Sequence, residues 1–158
     1  MRYTQSQIRE LLSISVDTFR TWRDAIPALS GHRGHAPSFM PGDVVALAIV
    51  AELVNGFGVR IGTLSSQFEQ LFEACHGKSW PLLENCVVLI TASNFRILEA
   101  SVAKEHWPSE PTLRVSCAPI IVRLRSALAE AAADQMQGHL PFLPTSAATQ
   151  PNLRGKRA

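Results

Sequence analysis

Two short helical patterns stand almost without a gap at the N-terminal end of this chain, and that arrangement leaves few folds open. Thr4 and Gln7 have the spacing of a capping box, and apolar residues at i, i+3 and i+4 follow them. Ser15 is placed to cap a second helix after a short break. The sequence therefore predicts one helix over 5–12 and another over 16–24.

The second predicted helix has little apolar surface. Phe19 and Trp22 are its large apolar anchors, while Thr18, Arg20 and Thr21 project from its other sides. A helix this short is not stable alone in water, so its apolar side must pack on a neighbour. Two short helices joined by a tight turn form a helix-turn-helix, whose second helix normally enters the major groove of DNA.

Composition limits the class of protein more loosely. Hydrophobic residues make up 46% of the 158 residues, which is enough for a core, and the formal net charge is only +2. The 3 cysteines include no CxxC pair, which argues against a disulfide framework and a zinc ribbon. The apolar stretch over 44–54 is too short to cross a bilayer, and the opening residues do not resemble a signal peptide. We therefore expect a cytoplasmic protein with free thiols and no membrane partner.

The segment over 29–41 is rich in glycine and proline and is predicted to form a hairpin loop. After it, Asp43 is placed to cap an apolar helix that ends near Gly56. Thr63 is placed to cap a further helix that ends near Cys75. This order of helix, turn, helix, loop and helix is the plan of a winged helix-turn-helix.

The pattern then changes to β-structure. The β-branched run over 86–91 and the alternating residues over 94–98 predict a hairpin, with 113–116 as a candidate third strand. Pro119 suits the first position of a last helix, which is predicted over 120–137. The sequence thus places a small sheet between two helical parts.

The N-terminal part also resembles the MerR-type family of winged helix-turn-helix proteins, through a string of residues in order. The matching residues are Tyr3-Thr4, Ile8, Leu11, Ile14-Ser15-Val16, Thr18-Phe19-Arg20 and Trp22, followed by Arg33-Gly34, Phe39 and Asp43-Val44. The resemblance covers about 2–65 and implies DNA binding through the second helix and the wing. The chain departs from the family at Asp17, where a basic residue is common, and at His35-Ala36-Pro37 in the wing. The long dimerisation coiled coil of the family is not evident.

The residues expected to contact DNA lie on the second helix, the wing and a later connector. Arginine pairs well with guanine N7 and O6, which makes Arg20 the main candidate for base reading, and Asp17 can accept from a cytosine amino group. Arg23, Arg33 and Arg60 are the candidates for phosphate contacts. The full predicted DNA-binding set is Thr4, Ser15, Asp17, Thr18, Arg20, Thr21, Arg23, Arg33, His35 and Arg60.

The last predicted helix carries an apolar stripe of Ile121, Leu124 and Leu128. The apolar surface of this helix is larger than the predicted hairpin can cover. We expect this stripe to pair across a two-fold axis. A homodimer would place two recognition helices on adjacent half-sites and roughly double the phosphate contacts.

As a whole, the sequence predicts a mainly α protein with a small β component. It divides into a winged helix-turn-helix over 1–65, a small α+β region for dimerisation or sensing over 66–137, and a disordered tail over 138–158. We expect a MerR-like transcriptional regulator that binds double-stranded DNA as a homodimer. No nucleophile elbow, phosphate loop or HExxH spacing is present, so neither an enzyme nor a cofactor is expected.

Three other functions stay open at this point. One is an architectural or excisionase-like DNA-binding protein of a mobile element. Another is a protein-interaction adaptor that has kept the winged fold without DNA binding. The third is a metal or redox sensor, because Cys75 adjoins His76, although further soft ligands for a metal are not apparent. The sequence identifies no small-molecule effector.

Overall fold

The first helix, α1 (Gln5–Leu11), begins where the sequence predicts. The computed structural model describes residues 2–31, 36–105 and 108–137 and contains both halves of the capping box. The Gln7 backbone N–H donates to Thr4 Oγ1 at 3.2 Å, and the Thr4 N–H donates to Gln7 Oε1 at 2.9 Å. These two bonds satisfy N–H groups that a helix start leaves without partners, so the predicted cap is confirmed.

The second helix, α2 (Val16–Ala25), also starts at its predicted position. Ser15 is the N-cap, and its Oγ accepts from the Thr18 N–H at 3.0 Å. Ser13 lies in the turn between the helices with a φ of 52°, in the left-handed region that a sharp change of direction uses. The two helices therefore follow each other with a tight connection.

Phe19 and Trp22 attach α2 to the rest of the chain. Their exposed fractions are 0% and 2%, and the core that receives them includes Ile8 of α1. The Phe19 ring meets Phe39 edge-on, with 6.1 Å between ring centroids and 82° between ring planes. The predicted burial of both side chains is confirmed, and it leaves the remaining sides of α2 to solvent.

The loop after α2 pairs with the N-terminal end of the chain. A 3₁₀ turn (Pro27–Leu29) follows α2, and further on Tyr3 and Phe39 form a single antiparallel bridge. The Tyr3 N–H donates to the Phe39 carbonyl at 2.9 Å, and the Phe39 N–H donates to the Tyr3 carbonyl at 3.2 Å. The middle of the predicted wing, 32–35, lies outside the described residues, and with it the predicted contacts Arg33 and His35.

The third helix, α3 (Pro41–Ala51), is buried along almost its whole length. Asp43 does not precede the helix as a cap; it lies in the first turn, and its Oδ2 accepts from the Met40 N–H at 2.8 Å. The helix continues as a π-helical segment (Glu52–Gly56), which ends where the sequence predicts. Residues that are apolar on every side of a helix require cover on every side, so α3 lies at the centre of the fold.

The fourth helix, α4 (Ser65–Cys75), follows a 3₁₀ turn (Ile61–Leu64). Thr63 was predicted to cap this helix, and that prediction is wrong because Thr63 lies inside the 3₁₀ turn. The backbone enters α4 through that turn, and no side-chain cap is present at Leu64, the residue before the helix. The helix nevertheless ends at Cys75, as predicted.

The start of α3 and the end of α4 approach very closely at Gly42. A Cβ atom built on Gly42 would lie 1.9 Å from the Cys75 carbonyl oxygen and 2.8 Å from its carbon. Beside this contact the Trp80 indole N–H donates to the Pro41 carbonyl at 2.8 Å, and its ring stacks on Tyr3 with centroids 6.4 Å apart. Only a residue without a side chain fits at this crossing.

A three-stranded antiparallel sheet of order β2-β1-β3 follows, and it confirms the predicted hairpin and third strand. The strands are β1 (Cys86–Ile90), β2 (Phe95–Glu99) and β3 (Leu113–Ser116). Two short helices were not predicted: α5 (Trp80–Glu84) before β1, and α6 (Ala100–Glu105) after β2.

Strand β1 is buried on both faces. Val88 and Ile90 belong to the main core, whereas Val87 and Leu89 form a second small cluster with Ala103 of α6. The sequence of a strand that is covered on both faces is a continuous apolar run, whereas a strand with one exposed face alternates apolar and polar residues. The unpredicted α6 is therefore what the outer half of that run packs against.

The last helix, α7 (Cys117–Gln137), begins earlier than predicted and packs on α3, α5 and β1. Ile121 and Leu124 are buried within the chain itself, and Leu128 is half-buried against the same core. The expectation that this stripe forms a dimer interface is therefore wrong for Ile121 and Leu124. Their apolar surface is already covered by α3 and the sheet, which the sequence pattern alone does not show.

Residues on both sides of the predicted boundary at 65 share one hydrophobic core, which extends from Tyr3 to Leu124. Polar contacts also cross the boundary. Gln67, although buried, donates from Nε2 to the Ala92 carbonyl at 2.7 Å, and Ser65 Oγ donates to the Ala25 carbonyl at 2.6 Å. Helix α4 is thus hydrogen-bonded both to α2 and to the hairpin turn.

No helix in the described part of the chain has the length and apolar character that a bilayer crossing needs.

The buried Asp43 carboxylate supports a first prediction, on stability. Besides the Met40 N–H, it accepts from His76 Nδ1 at 2.9 Å, and the His76 side chain is mostly exposed. Replacing Asp43 with Ala should lower the free energy of unfolding by about 1–3 kcal/mol, because the Met40 N–H loses a charged acceptor. Urea unfolding at pH 7 measures this loss. His76→Ala is the matched control and should cost much less; equal losses would show that the hydrogen bond to His76, and not the helix start, carries the effect.

Candidate nucleic-acid-binding surface

The side of α2 opposite Phe19 and Trp22 forms the candidate surface. Asp17, Arg20 and Thr21 are exposed there, and the Arg20 side chain has 64% of its area in contact with solvent. Arg20 Nη1 lies 3.9 Å from Asp17 Oδ1, one turn earlier on the helix. An exposed ion pair at this distance is weak, so Arg20 can exchange Asp17 for a guanine or phosphate acceptor at little cost.

The hydroxyl groups of this surface already have partners within the chain. Ser15 Oγ and Thr18 Oγ1 are 2.9 Å apart, and Thr21 Oγ1 donates to the Asp17 carbonyl at 2.9 Å. Since the Thr21 proton is donated inside the helix, the exposed Thr21 side chain can offer a ligand its oxygen only as an acceptor and its methyl group as an apolar contact. Such a group suits the amino group of adenine or cytosine, or the methyl group of thymine.

Three of the predicted DNA-binding residues are less available to a ligand than Arg20. Thr4 and Ser15 use their side-chain oxygens to cap α1 and α2, which limits them to secondary contacts with DNA. Arg23 is half-buried, and its Nε lies 3.6 Å from Asp24 Oδ1. Arg23 therefore has less freedom to reach a ligand than Arg20 has.

Arg60 lies directly before a turn that contacts α2. The 3₁₀ turn (Ile61–Leu64) packs against α2, and Ser65 holds the end of α2 by its hydrogen bond to Ala25. Arg60 directly precedes this turn and is exposed. The structure thus brings Arg60 near α2 although the two are far apart in sequence.

Val16 is a candidate that the sequence analysis missed. It is the first residue of α2, and 49% of its area is exposed although it is apolar. Val16 is three residues before Phe19, the spacing of one helical face, so the sequence pattern predicts a buried side chain and gives no signal of its exposure. An exposed valine is suited to contact an apolar group such as a thymine methyl.

The formal charge of α2 is balanced. Asp17 and Asp24 offset Arg20 and Arg23, so the helix has no net charge. A surface of this kind gives little of the non-specific attraction that strongly basic proteins have for the phosphate backbone. Any preference for DNA must therefore come from the placement of individual donors and acceptors.

Two open grooves lie away from α2. One, of about 290 Å³, runs between α1, the end of α3 and α7, and Glu52 and Arg123 pair at its rim. The other, of about 720 Å³, lies between α1 and the later part of α7. The first is lined mainly by aliphatic side chains and alanines, whereas half of the residues that line the second are polar: Tyr3, Gln7, Glu10, Ser13 and Glu130.

Two of the three thiols are buried and have raised pKa values. Burial, together with the nearby Cys117 sulfur, raises the pKa of Cys75 to about 12, and burial raises that of Cys117 to about 12. In the described part of the chain, no three His, Cys, Asp or Glu side chains are placed to hold a metal ion.

Comparison with protein-family models, curated proteins and solved structures finds no match to this chain.

Proposed function

We propose that this chain is a sequence-selective binding protein for double-stranded DNA, a MerR-like transcriptional regulator that acts as a homodimer. The observation that carries the proposal is the two-sided character of α2. Its Phe19 and Trp22 side is buried, and its Arg20 and Thr21 side is presented to solvent. A short helix that is held from one side only, after a tight turn, has the form of a recognition helix.

In this proposal α2 enters the major groove. Arg20 leaves Asp17 and donates two hydrogen bonds to guanine N7 and O6, while Thr21 accepts from a neighbouring base or meets a thymine methyl group. Arg23 and Arg60 hold phosphates on either side of the groove and fix the position of the helix. Arg33 and His35 of the loop extend these phosphate contacts.

A homodimer would double these contacts and read two half-sites related by a two-fold axis. Its interface must use a surface other than Ile121 and Leu124, since both lie inside the chain's own core. The exposed apolar residues Phe57, Leu82 and Val122 are the available starting points for locating it.

Selection from a random duplex library tests the proposal. The native chain should enrich one motif, with inverted half-sites if it dimerises, and Arg20→Ala should weaken binding to that motif about 5- to 150-fold, the range expected for loss of a bidentate guanine contact. Arg20→Ala should unfold at the same temperature as the native chain, since the side chain is exposed. Selection at two salt concentrations separates base reading from phosphate attraction.

Asp17→Asn is the second variant to test, because Asp17 is the ion-pair partner of Arg20. It keeps the size of the side chain, removes a charge that repels phosphate and releases Arg20, so it should bind the same motif more tightly. Weaker binding, confined to sites with one particular base, would instead assign Asp17 to a cytosine amino group.

The balanced charge of α2 favours one alternative, a protein-interaction adaptor. In that case no duplex would be enriched, and any weak binding would disappear as salt rises. Enrichment of a long, bent footprint without a defined motif would point to an architectural or excisionase-like protein.

A further inference from the structure

Two of the three cysteines lie opposite each other at one end of the sheet. Strands β1 and β3 are antiparallel, with Val87 opposite Ser116 and Val88 opposite Val115. One more step in the same register sets Cys86, the first residue of β1, opposite Cys117, where β3 passes into α7. Residues directly opposite each other in an antiparallel ladder have Cα atoms about 4.5–5.5 Å apart. A disulfide joins Cα atoms about 4.4–6.8 Å apart, so the backbone spacing suits one.

The two thiols also lie on the same face of the sheet. Cys86 is two residues before Val88 and therefore points to the same side, toward the main core, and Cys117 is buried in that core. The pKa of Cys117 supports their closeness, because the neighbouring Cys86 sulfur raises it in addition to the larger effect of burial. Cys86 is half-buried, and its S–H donates to the Leu82 carbonyl at 3.3 Å. The Cys86 thiol is thus reachable from solvent, whereas the Cys117 thiol is buried.

We propose that Cys86 and Cys117 form an intramolecular disulfide when the protein meets a peroxide. The Cys86 thiolate attacks one peroxide oxygen, the O–O bond breaks, and the departing hydroxide takes a proton to become water, leaving Cys86 as a sulfenic acid. The Cys117 sulfur then attacks the Cys86 sulfur, the S–O bond breaks and the S–S bond forms. The Cys117 proton leaves with the hydroxide as a second water. Two thiols lose two electrons, and one peroxide is reduced to two waters.

The surroundings of Cys86 set the rate of the first step. Burial raises the pKa of the Cys86 thiol, with Glu99 raising it further and Lys78 lowering it. Because only the thiolate attacks peroxide, oxidation is slow at neutral pH and accelerates as the pH rises. Cys75 and Cys117 are less accessible than Cys86 and do not compete for the oxidant. The disulfide would tie β1 covalently to the start of α7, and it depends in no way on DNA binding.

Peptide mapping tests the proposal directly, because trypsin separates all three cysteines. Cleavage after Lys and Arg places Cys75 in 61–78, Cys86 in 79–96 and Cys117 in 115–123. The native full-length chain is treated with hydrogen peroxide at pH 7 and pH 9, alkylated under denaturing conditions and digested without a reductant. The expected product links 79–96 to 115–123, forms faster at pH 9 and disappears on reduction.

Three variants make the result specific. Cys75→Ala should form the same link at the same rate, Cys86→Ala should form no link, and Cys117→Ala should stop at the Cys86 sulfenic acid, which a dimedone probe captures. Circular dichroism establishes that each variant is folded before oxidation. A link from 61–78 to either other peptide, a link only between two chains, or free thiols in the native chain after prolonged oxidation would each overturn the proposal.

Discussion

Gly42→Ala is expected to lower the free energy of unfolding by about 3 kcal/mol or more, in the upper range for overpacking in a core. The added methyl group would sit 1.9 Å from the Cys75 carbonyl oxygen, which is a backbone atom and cannot rotate away. Helices α3 and α4 would have to separate, and the Trp80 hydrogen bond to the Pro41 carbonyl would be disturbed with them. The effect should therefore exceed that of a change in an adaptable side chain.

Chemical unfolding in urea at pH 7 measures this loss, with Gly62→Ala as the matched control. A Cβ atom on Gly62 meets nothing within 4 Å, so the control should change stability by no more than about 1 kcal/mol. If Gly42→Ala were as stable as the control, the close crossing of α3 and α4 would not exist in the folded protein.

Phe19→Ala is expected to destabilise the chain by about 3–5 kcal/mol, the usual cost of removing a buried phenyl ring. Phe19 has no exposed area, and its loss also removes the edge-on contact with Phe39. Because Phe19 and Trp22 are the buried residues of α2, this variant should loosen α2 first. The proposed DNA binding should weaken with it, even under conditions where most of the chain stays folded.

Hydrogen exchange on the α2 amides, together with thermal unfolding, tests this expectation. Val16→Ala is the matched control on the same helix, since half of its surface is exposed and it should have little effect on stability. Unchanged protection of α2 in Phe19→Ala would mean that contacts other than the core anchors hold the helix in place.

Local signals in the sequence were sufficient for the starts of α1 and α2 and for the hairpin. The capping box at Thr4 and the cap at Ser15 involve residues three positions apart, so the sequence contains both partners of each bond. Helix α5 could not be found in this way, because it is short and Trp80 is held by the distant Pro41 carbonyl. Burial of Ile121 and Leu124 by α3 and the sheet is likewise a property of the assembled fold and not of their spacing.

For the candidate surface, sequence reasoning found the residues other than Val16 but not their interactions. The exposure of Arg20 and Thr21 follows from the helical period once Phe19 is placed in the core. Their present partners within the helix, and the approach of Arg60 through the turn after it, depend on rotamers and tertiary packing. The sequence therefore names candidates, and the fold decides which of them can act together.

The Gln67 hydrogen bond to the Ala92 carbonyl has a consequence for protein engineering. Helix α4 provides cover for α3 on one side and a polar anchor for the hairpin turn on the other. A fragment cut at 65 would expose the α3 surface that α4 covers, and a chain without the hairpin would lose the acceptor of the Gln67 amide. We therefore expect the first 65 residues to be less stable alone than in the whole chain, and α2 to be transplanted best together with the sheet.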